Sequence, residues 1–593
     1  MSDTVSGAPR MAHALVAMAV LALVTAIASG AEVAYGEVRI NVDEPATRVT
    51  SYSGYLAYPV EIENTSESDR DIELRVIGDA MQFESLVVRR LSLSVRVPAR
   101  STVRSAFYLP PATLAANRAE VFVDGAKQRE TIGIGHASHT SLLSGRWYSG
   151  SSEPLVVLAS RNVPPDVRVG LEDRASGDGR YEKLEIVRAE RETGEWLTDW
   201  VAYSRYSSVI VAADEWLTTP ASVRAALAAY ARSGGLLTVV GRGVRPADVL
   251  GYDPEPSTAS ESGFYPSSFG GVRVGASLPE ADYDRFLRSM LNMARERPTR
   301  FDASDAESVM RSAPDSSLPM TAILSLLVVM AVVIGPVNLI VLARMRRRAM
   351  LFFTTPIIGL TFAAATFAVG LLNDGLSARV VSRTVTVLDH RIDRATTLGQ
   401  WACYTPLPPR DGVSAPLDAE VTPIGRDAYD GSAISITLDR GTEQVLGGSL
   451  IRSRIPGHMI VRRDAQRRER VEIEREGDAW VATNGLGVGI ETFAFVSVDG
   501  DVWTAGAIEP GQRARLTRTK TIPTAVRGGL DIPRSPRELW RFFDRDDDQT
   551  FGRVPNTYTA VLTGEPFLGV SIAGDSEESR EAVVVGILNG GGP

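Results

Sequence analysis

Asp214 and Glu215 stand side by side directly after the apolar run Ser207-Ser-Val-Ile-Val-Ala-Ala213. Adjacent carboxylates at the end of a strand can hold a ligand or act as an acid–base pair. On a loop such a pair more often faces solvent or caps a helix, so Asp214 and Glu215 are read as ligand-binding candidates. His136 and His139, in Gly133-Ile-Gly-His-Ala-Ser-His139, have metal-ligand spacing but no third ligand nearby. Asp544-Arg-Asp-Asp-Asp548 opens like a calcium loop, yet Gln549 stands where that loop needs glycine and Pro555 where it needs glutamate. It reads as a solvated acidic turn. The single cysteine, Cys403, excludes an intrachain disulfide, a cysteine zinc site and CxxC chemistry. Beside Trp401 it reads as a small buried residue. Gly241-Arg-Gly243 is too short for a phosphate loop, and a Gly-x-Ser-x-Gly elbow is missing. These residues lead to an expectation of no catalytic residue, no metal and no cofactor.

The elements around Asp214 define a domain. Pro154-Leu-Val-Val-Leu-Ala-Ser160 and Ser207–Ala213 are short buried-strand runs. Pro220 opens an amphipathic helix over Ala221–Arg232, Gly234-Gly235 supplies its left-handed cap, and Leu236-Leu-Thr-Val-Val240 is the next strand. Strand–helix–Gly-Gly–strand is a βαβ unit, so residues 146–300 are expected to form a doubly wound, flavodoxin-like α/β domain with a parallel sheet. Asp214 then lies at the carboxyl end of a strand, where such folds bind ligands. The segment Val209–Gly243 resembles the class I glutamine amidotransferase-like domains of exported bacterial membrane proteins. Gly335-Pro-Val-Asn338 followed by arginines also resembles bacterial envelope proteins with this layout. The resemblance implies an amidotransferase-like fold, but active members carry a cysteine nucleophile on a strand-to-helix turn and a histidine downstream. Here Cys403 lies far beyond the domain, and residues 150–315 contain no histidine. The resemblance therefore implies the fold without its nucleophile.

Both flanks of this domain read as sheet. Residues 37–145 alternate with period two in Tyr58–Glu63, Ile72–Ile77 and Leu91–Val97, which predicts a β-sandwich. Residues 376–520 alternate again, with Asn484-Gly485 and Asp499-Gly500 as hairpin signals, and predict a second sandwich. Residues 521–593 are expected to form a small C-terminal unit with a partly disordered tail. Arg462-Arg463 and Arg467-Arg468 are followed by Glu469, Glu472, Glu474 and Glu476, which reads as paired strand-face charges and not a polyanion site. The net charge of −9 argues the same way: nucleic acid is not an expected partner.

Three apolar stretches point to a membrane. Met11–Ala31 lacks any acidic or basic side chain except His13 and closes on Ala28-Ser-Gly-Ala31, so residues 1–31 are read as a signal peptide; an uncleaved anchor is the alternative. Residues 318–343 and 349–372 are free of charge and long enough to cross a bilayer as two helices. Between them, Arg344, Arg346, Arg347 and Arg348 make a short basic loop, which belongs on the cytoplasmic side. Both large regions then face outward from a bacterial inner membrane. Pro336 should kink the first helix next to Gly335. Asn338 is expected near the interface, bonding a freed carbonyl, or, as the functional alternative, making a packing or partner contact; with Gly335 and Pro336 it is a membrane-packing candidate. With no ionisable residue in either helix, the hairpin alone makes no ion path.

The expected function is a membrane-tethered extracytoplasmic binding or scaffold protein with the bilayer and an envelope protein as partners. The alternatives are a periplasmic hydrolase using Asp or Ser in the α/β domain, and an accessory subunit of a transporter.

Overall fold

The segments on the two sides of the apolar hairpin pair with each other. Leu86–Val97 runs parallel to Ile434–Arg440, in register from Leu86↔Ile434 to Leu93↔Arg440 across one bulge. This computed structural model describes residues 31–45, 54–78, 86–112, 114, 118–134, 155–177, 184–254, 263–278, 282–296, 320–374, 377–407, 409, 411–424, 434–520, 554–572 and 576–589. The chain is multidomain and rich in sheet, with two long apolar helices. Most of residues 1–31, His136, His139 and the 544–548 acidic run lie outside the described residues.

Before the α/β layer come β1 (Leu56–Asn64), β2 (Leu86–Val97) and β3 (Ser101–Leu109). Alternate residues of β1 are buried, as one covered sheet face demands. Strands β1 and β3 pair antiparallel along their whole length. Strand β2 belongs instead to a nine-stranded sheet shared with the far side of the hairpin. Ile62, Val88, Leu91 and Val121 bury in the same core as Val380, Trp401, Ile436 and Val461. The two sandwiches expected at 37–145 and 376–520 are therefore corrected to one β body. Period-two alternation tells which face of a strand is buried; it does not tell which strand lies beside it.

The α/β layer contains β4 (Leu155–Ala159), α1 (Pro165–Gly177), β5 (Leu184–Arg188), β6 (Ser208–Ala212), α2 (Ala213–Thr218), α3 (Ala221–Arg232), β7 (Leu236–Val240), β8 (Phe264–Ser267), β9 (Gly270–Gly275) and α4 (Tyr283–Glu296). The strand order is β5-β4-β6-β7-β9-β8, parallel throughout except for β8. Every residue of β4, β6 and β7 is buried, because helices cover both faces. Leu171, Phe286 and Leu287 of α1 and α4 pack on one face; Val223, Leu227 and Tyr230 of α3 pack on the other. Gly234 ends α3 with φ +107°, a left-handed conformation. Gly235 serves a different need: a Cβ there would sit 2.1 Å from the Tyr230 ring.

The hairpin comprises α5 (Met320–Val332), a π-helical turn (Val333–Val337), α6 (Asn338–Arg344) and α7 (Leu351–Asp374). Two spans, Leu324–Arg344 and Arg348–Ala368, are long and apolar enough to cross a membrane. Pro336 sits inside the π turn, whose wider loop accommodates the missing amide donor. Asn338 makes a packing contact across the hairpin in place of a bond to a freed carbonyl. Its side chain donates to Thr354 Oγ1 at 3.0 Å on the opposite helix. The Thr354 hydroxyl also lies 3.1 Å from Asn338 Oδ1.

After the hairpin come β10 (Ala378–Asp389), β11 (Arg394–Tyr404), β12 (Ala419–Ile424), β13 (Ile434–Arg440), β14 (Gly457–Gln466), β15 (Ile490–Val496), β16 (Thr557–Leu562) and β17 (Ser576–Ile587). A second nine-stranded sheet runs β12-β14-β11-β10-β17-β16-β15 and two further short strands. Asp499-Gly500 turns a hairpin between Val496 and Val502, with Gly500 at φ +79°. Asn484-Gly485 does not. The Asn484 side chain instead bonds the carbonyls of Val488 and Ile508 at 2.8 and 2.9 Å and organises a longer connection.

Leu438 lies on β13 in the shared core with no exposure. Leu438→Ala is expected to cost about 2–5 kcal/mol, read by denaturant unfolding. Limited proteolysis should then open segments before and after the hairpin together. Cleavage confined to the later segment would show that the two halves hold their cores separately.

Candidate functional site

Chain order reverses between β4 and β6: β5 lies on one side of β4 and β6 on the other. In open α/β sheets the crevice at such a switch, beyond the carboxyl ends of the strands, is where ligands sit. Ser160 follows β4 there, and Asp214 and Glu215 begin α2 directly after β6. The Glu215 side chain turns inward and is only 8% exposed. Its carboxylate accepts from the Ser160 hydroxyl and from the Asn162 backbone N–H at 3.1 Å. The Ser160 oxygen in turn accepts the Ala212 N–H at 3.0 Å. Asp214 is exposed and accepts from the Asn162 side-chain amide at 2.8 Å. The two βα loops are thus latched to each other by their own side chains. Ser160 is buried and donates and accepts within the latch, so its hydroxyl faces no open crevice.

The other sequence-selected residues lie elsewhere. Gly335 and Pro336 are in the π turn and Asn338 in the hairpin seam. Arg344, Arg346, Arg347 and Arg348 are exposed around the tip between α6 and α7. Cys403 is wholly buried on β11, where burial pushes its thiol up to about 12, so the reactive thiolate is disfavoured.

A denser polar constellation sits where the α/β layer meets the β body. Arg232, the last residue of α3, donates through Nε and Nη2 to Asp464 on β14 at 2.7 and 3.0 Å. Asp464 is fully buried and also accepts from Thr396 at 2.9 Å. Burial works against the Arg232 cation, but the facing Asp464 carboxylate raises its pKa overall. Two residues back on β14, Arg462 pairs with Glu420 of β12 and donates to the Ser233 carbonyl at 2.9 Å. A cation thereby meets the negative end of the α3 dipole. Arg440 of β13 contacts Asp199 at 3.2 Å and lies over the Tyr108 ring at 4.3 Å. Burial pushes Asp199 upward, against the pull of Arg440. Tyr55 and Trp200 complete the seam, bonding the carbonyls of Val421 and Asp418 at 2.7 and 2.8 Å. The sequence offers one signal for these residues: charged side chains at Glu420, Arg462 and Asp464 share strands with apolar neighbours.

Among the described residues no group of three or more His, Cys, Asp or Glu is arranged to hold a metal ion. No protein family matches the sequence, and no curated protein does. Solved structures give weak likenesses. The Francisella novicida lysine decarboxylase LdcF shares 7% identity at a TM-score of 0.16, over 28% of this chain and 20% of that one. The yeast delta-COP-I mu-homology domain shares 8% identity at 0.17, over 35% of this chain and 95% of that one. The Amycolatopsis orientalis exo-chitosanase CsxA shares 11% identity at 0.15, over 94% of this chain and 64% of that one. Likenesses of this size carry no assignment of fold or activity.

Removing one side of the buried pair should be severe. Asp464→Asn is expected to cost about 3–5 kcal/mol, since Arg232 loses its charged partner inside the protein. The combined Arg232→Met and Asp464→Leu variant should recover part of that loss in denaturant unfolding. Strictly additive losses would show that the two residues do not act as a pair.

His390, beside this seam, predicts a pH effect. Burial and the nearby Arg470 push its pKa from 6.5 down to about 4, and Nε2 lies 3.0 Å from the Tyr558 hydroxyl. The unfolded chain therefore binds the proton first as pH falls. The contribution is complete above about pH 6.5 and is lost towards pH 4, up to about 3 kcal/mol. His390→Gln should remove this slope from the unfolding midpoint measured across that window. An unchanged slope would assign the acid sensitivity to other groups.

Proposed function

We propose that this chain is a membrane-tethered binding or scaffold protein of the bacterial envelope, with one extracytoplasmic body carried on a two-helix hairpin. The parallel pairing of β2 with β13 carries this reading. A chain that crosses a bilayer twice returns to the side it left, and only then can strands from before and after the crossings share a sheet. The exposed Arg344–Arg348 tip supports a cytoplasmic loop, because short basic loops are retained there. Phe352 and Leu360, 80% and 73% exposed, fit lipid contact. The body is then periplasmic, on an inner membrane, with a signal peptide starting export.

The strand order and the position of Asp214 support an amidotransferase-like α/β domain, while Cys403 sits in another sheet. The latch between Ser160, Asn162 and Glu215 favours surface presentation over a hydrolytic pocket. An envelope protein is the expected partner of that surface. Mild crosslinking of the full chain in its native membrane should trap one species of defined larger mass, abolished by surface substitutions on the body alone. Recovery of only uncrosslinked chain would overturn the scaffold reading.

Topology is tested with one added cysteine at a time. Buried Cys403 should stay unlabelled in the folded chain. Val498→Cys, 65% exposed on the body, should react with an impermeant maleimide on intact spheroplasts, and Met345→Cys only after permeabilisation. The reverse pattern would invert the orientation.

A further inference from the structure

The hairpin fixes which end of the β body meets the bilayer. Helix α7 ends at Asp374 and β10 begins at Ala378, so only residues 375–377 intervene. Four residue steps reach at most about 14 Å. The start of β10 is therefore held close to the end of the membrane helix. Register extends this to its neighbours: Arg379 pairs with Tyr404 at the end of β11, and Cys403 pairs with Gly457 at the start of β14. With strands about 5 Å apart, the chain after Tyr404 and the chain before Gly457 emerge at that same end.

These two loops are joined into one tip. Thr405 bridges to Ser453, the Arg454 N–H donates to the Thr405 carbonyl at 2.7 Å, and the Ser453 hydroxyl bonds the Pro406 carbonyl. Arg454 holds φ +62°, a conformation that L residues adopt rarely, so the tip is shaped by its bonds. It carries Leu407, 55% exposed, Ile455, 38% exposed, and the exposed cation Arg454. Single exposed apolar residues are ordinary on protein surfaces. Two on bonded loops beside a cation, at the one end tied to a membrane helix, are placed as an interfacial anchor would be.

We propose that the 405–407 and 453–455 loops form a second membrane contact, with Leu407 and Ile455 entering the headgroup layer of the bilayer that the hairpin spans. Arg454 meets anionic phospholipid phosphates. The contact rests on the tether reading above, and it sets the tilt of the body on the membrane.

The same sheet supplies an internal control. Strand β17 is parallel to β10, β16 antiparallel to β17 and β15 antiparallel to β16, so β15 ends at the far edge. Val498, just beyond it, is 65% exposed and should stay in water. The test uses the full chain in nanodiscs of phosphatidylcholine and phosphatidylglycerol, in which no other protein is present. Leu407→Cys, Ile455→Cys, Val498→Cys and Leu360→Cys are labelled singly with an environment-sensitive fluorophore and quenched by lipids spin-labelled near the headgroup end of the acyl chain. Labels at 407 and 455 should be quenched several-fold more strongly than the label at 498, and neutral lipid alone should weaken that difference. If 407 and 455 behave like 498 while 360 is quenched, the second contact is overturned and the tether stands. If 360 is unquenched as well, the tether reading fails with it.

Discussion

The ion pair between Arg232 and Asp464 is the constraint on which the arrangement of the body depends. Both side chains are almost wholly removed from water, at 7% and 0% exposure. An ion costs several kcal/mol to desolvate, and that cost is offset only by good geometry and further hydrogen bonds. Here the guanidinium meets both carboxylate oxygens, while Arg394 and Thr396 take up the remaining capacity of Asp464. The partners come from different layers, so the desolvation cost is compensated only when α3 is docked on β14. A shifted docking leaves a buried charge unpaired, which costs more than the docked pair contributes. The pair thus specifies one orientation more than it adds stability.

The neighbouring charges extend the same logic. Arg462 serves Glu420 and the Ser233 carbonyl that caps α3 at once, and so links β14, β12 and the α3 C-terminus. Arg440 reaches from β13 to Asp199 and Tyr108, which belong to the α/β layer and to β3. Strand β13 is also the parallel partner of β2. Long-range pairing of this kind forms late, since distant segments must meet before any contact compensates their lost entropy. The segments before the hairpin cannot complete their core until the chain beyond it is there to pair with them.

Local structure was legible in the sequence where one physical rule dominates. The α3 boundaries, Ala221–Arg232, follow from Pro220 and Gly234, and the wholly buried strands β4, β6 and β7 from their unbroken apolar runs. The two long apolar helices were legible from their unbroken, charge-free apolar runs. Partner choice among strands was not legible. The alternation in Leu91–Val97 is equally compatible with a self-contained sandwich and with a sheet completed by Ile434–Arg440. The charged seam was hidden for a related reason. Arg462 and Asp464 occupy strand positions that look solvent-facing unless a second layer covers them, and that layer is separated from them by the hairpin. Which of its two expected contacts Asn338 makes was not legible, because its bond to Thr354 requires knowing how the two helices face each other.

The switch-point latch closes the crevice of the parallel sheet from within. A parallel sheet leaves a crevice wherever its strand order reverses, and backbone amides at the carboxyl ends of β4 and β6 must find acceptors. Where a ligand occupies such a crevice, the ligand can supply them. Here the Glu215 carboxylate fills that role from within, taking the Asn162 N–H and the Ser160 hydroxyl. Glu215 is held in turn by Thr219, whose hydroxyl lies 2.6 Å from its carbonyl oxygen. The result is a layer whose crevice is satisfied when empty and whose opposite side is locked to the β body through α3. Such a layer gives up an adjustable pocket and gains a fixed surface.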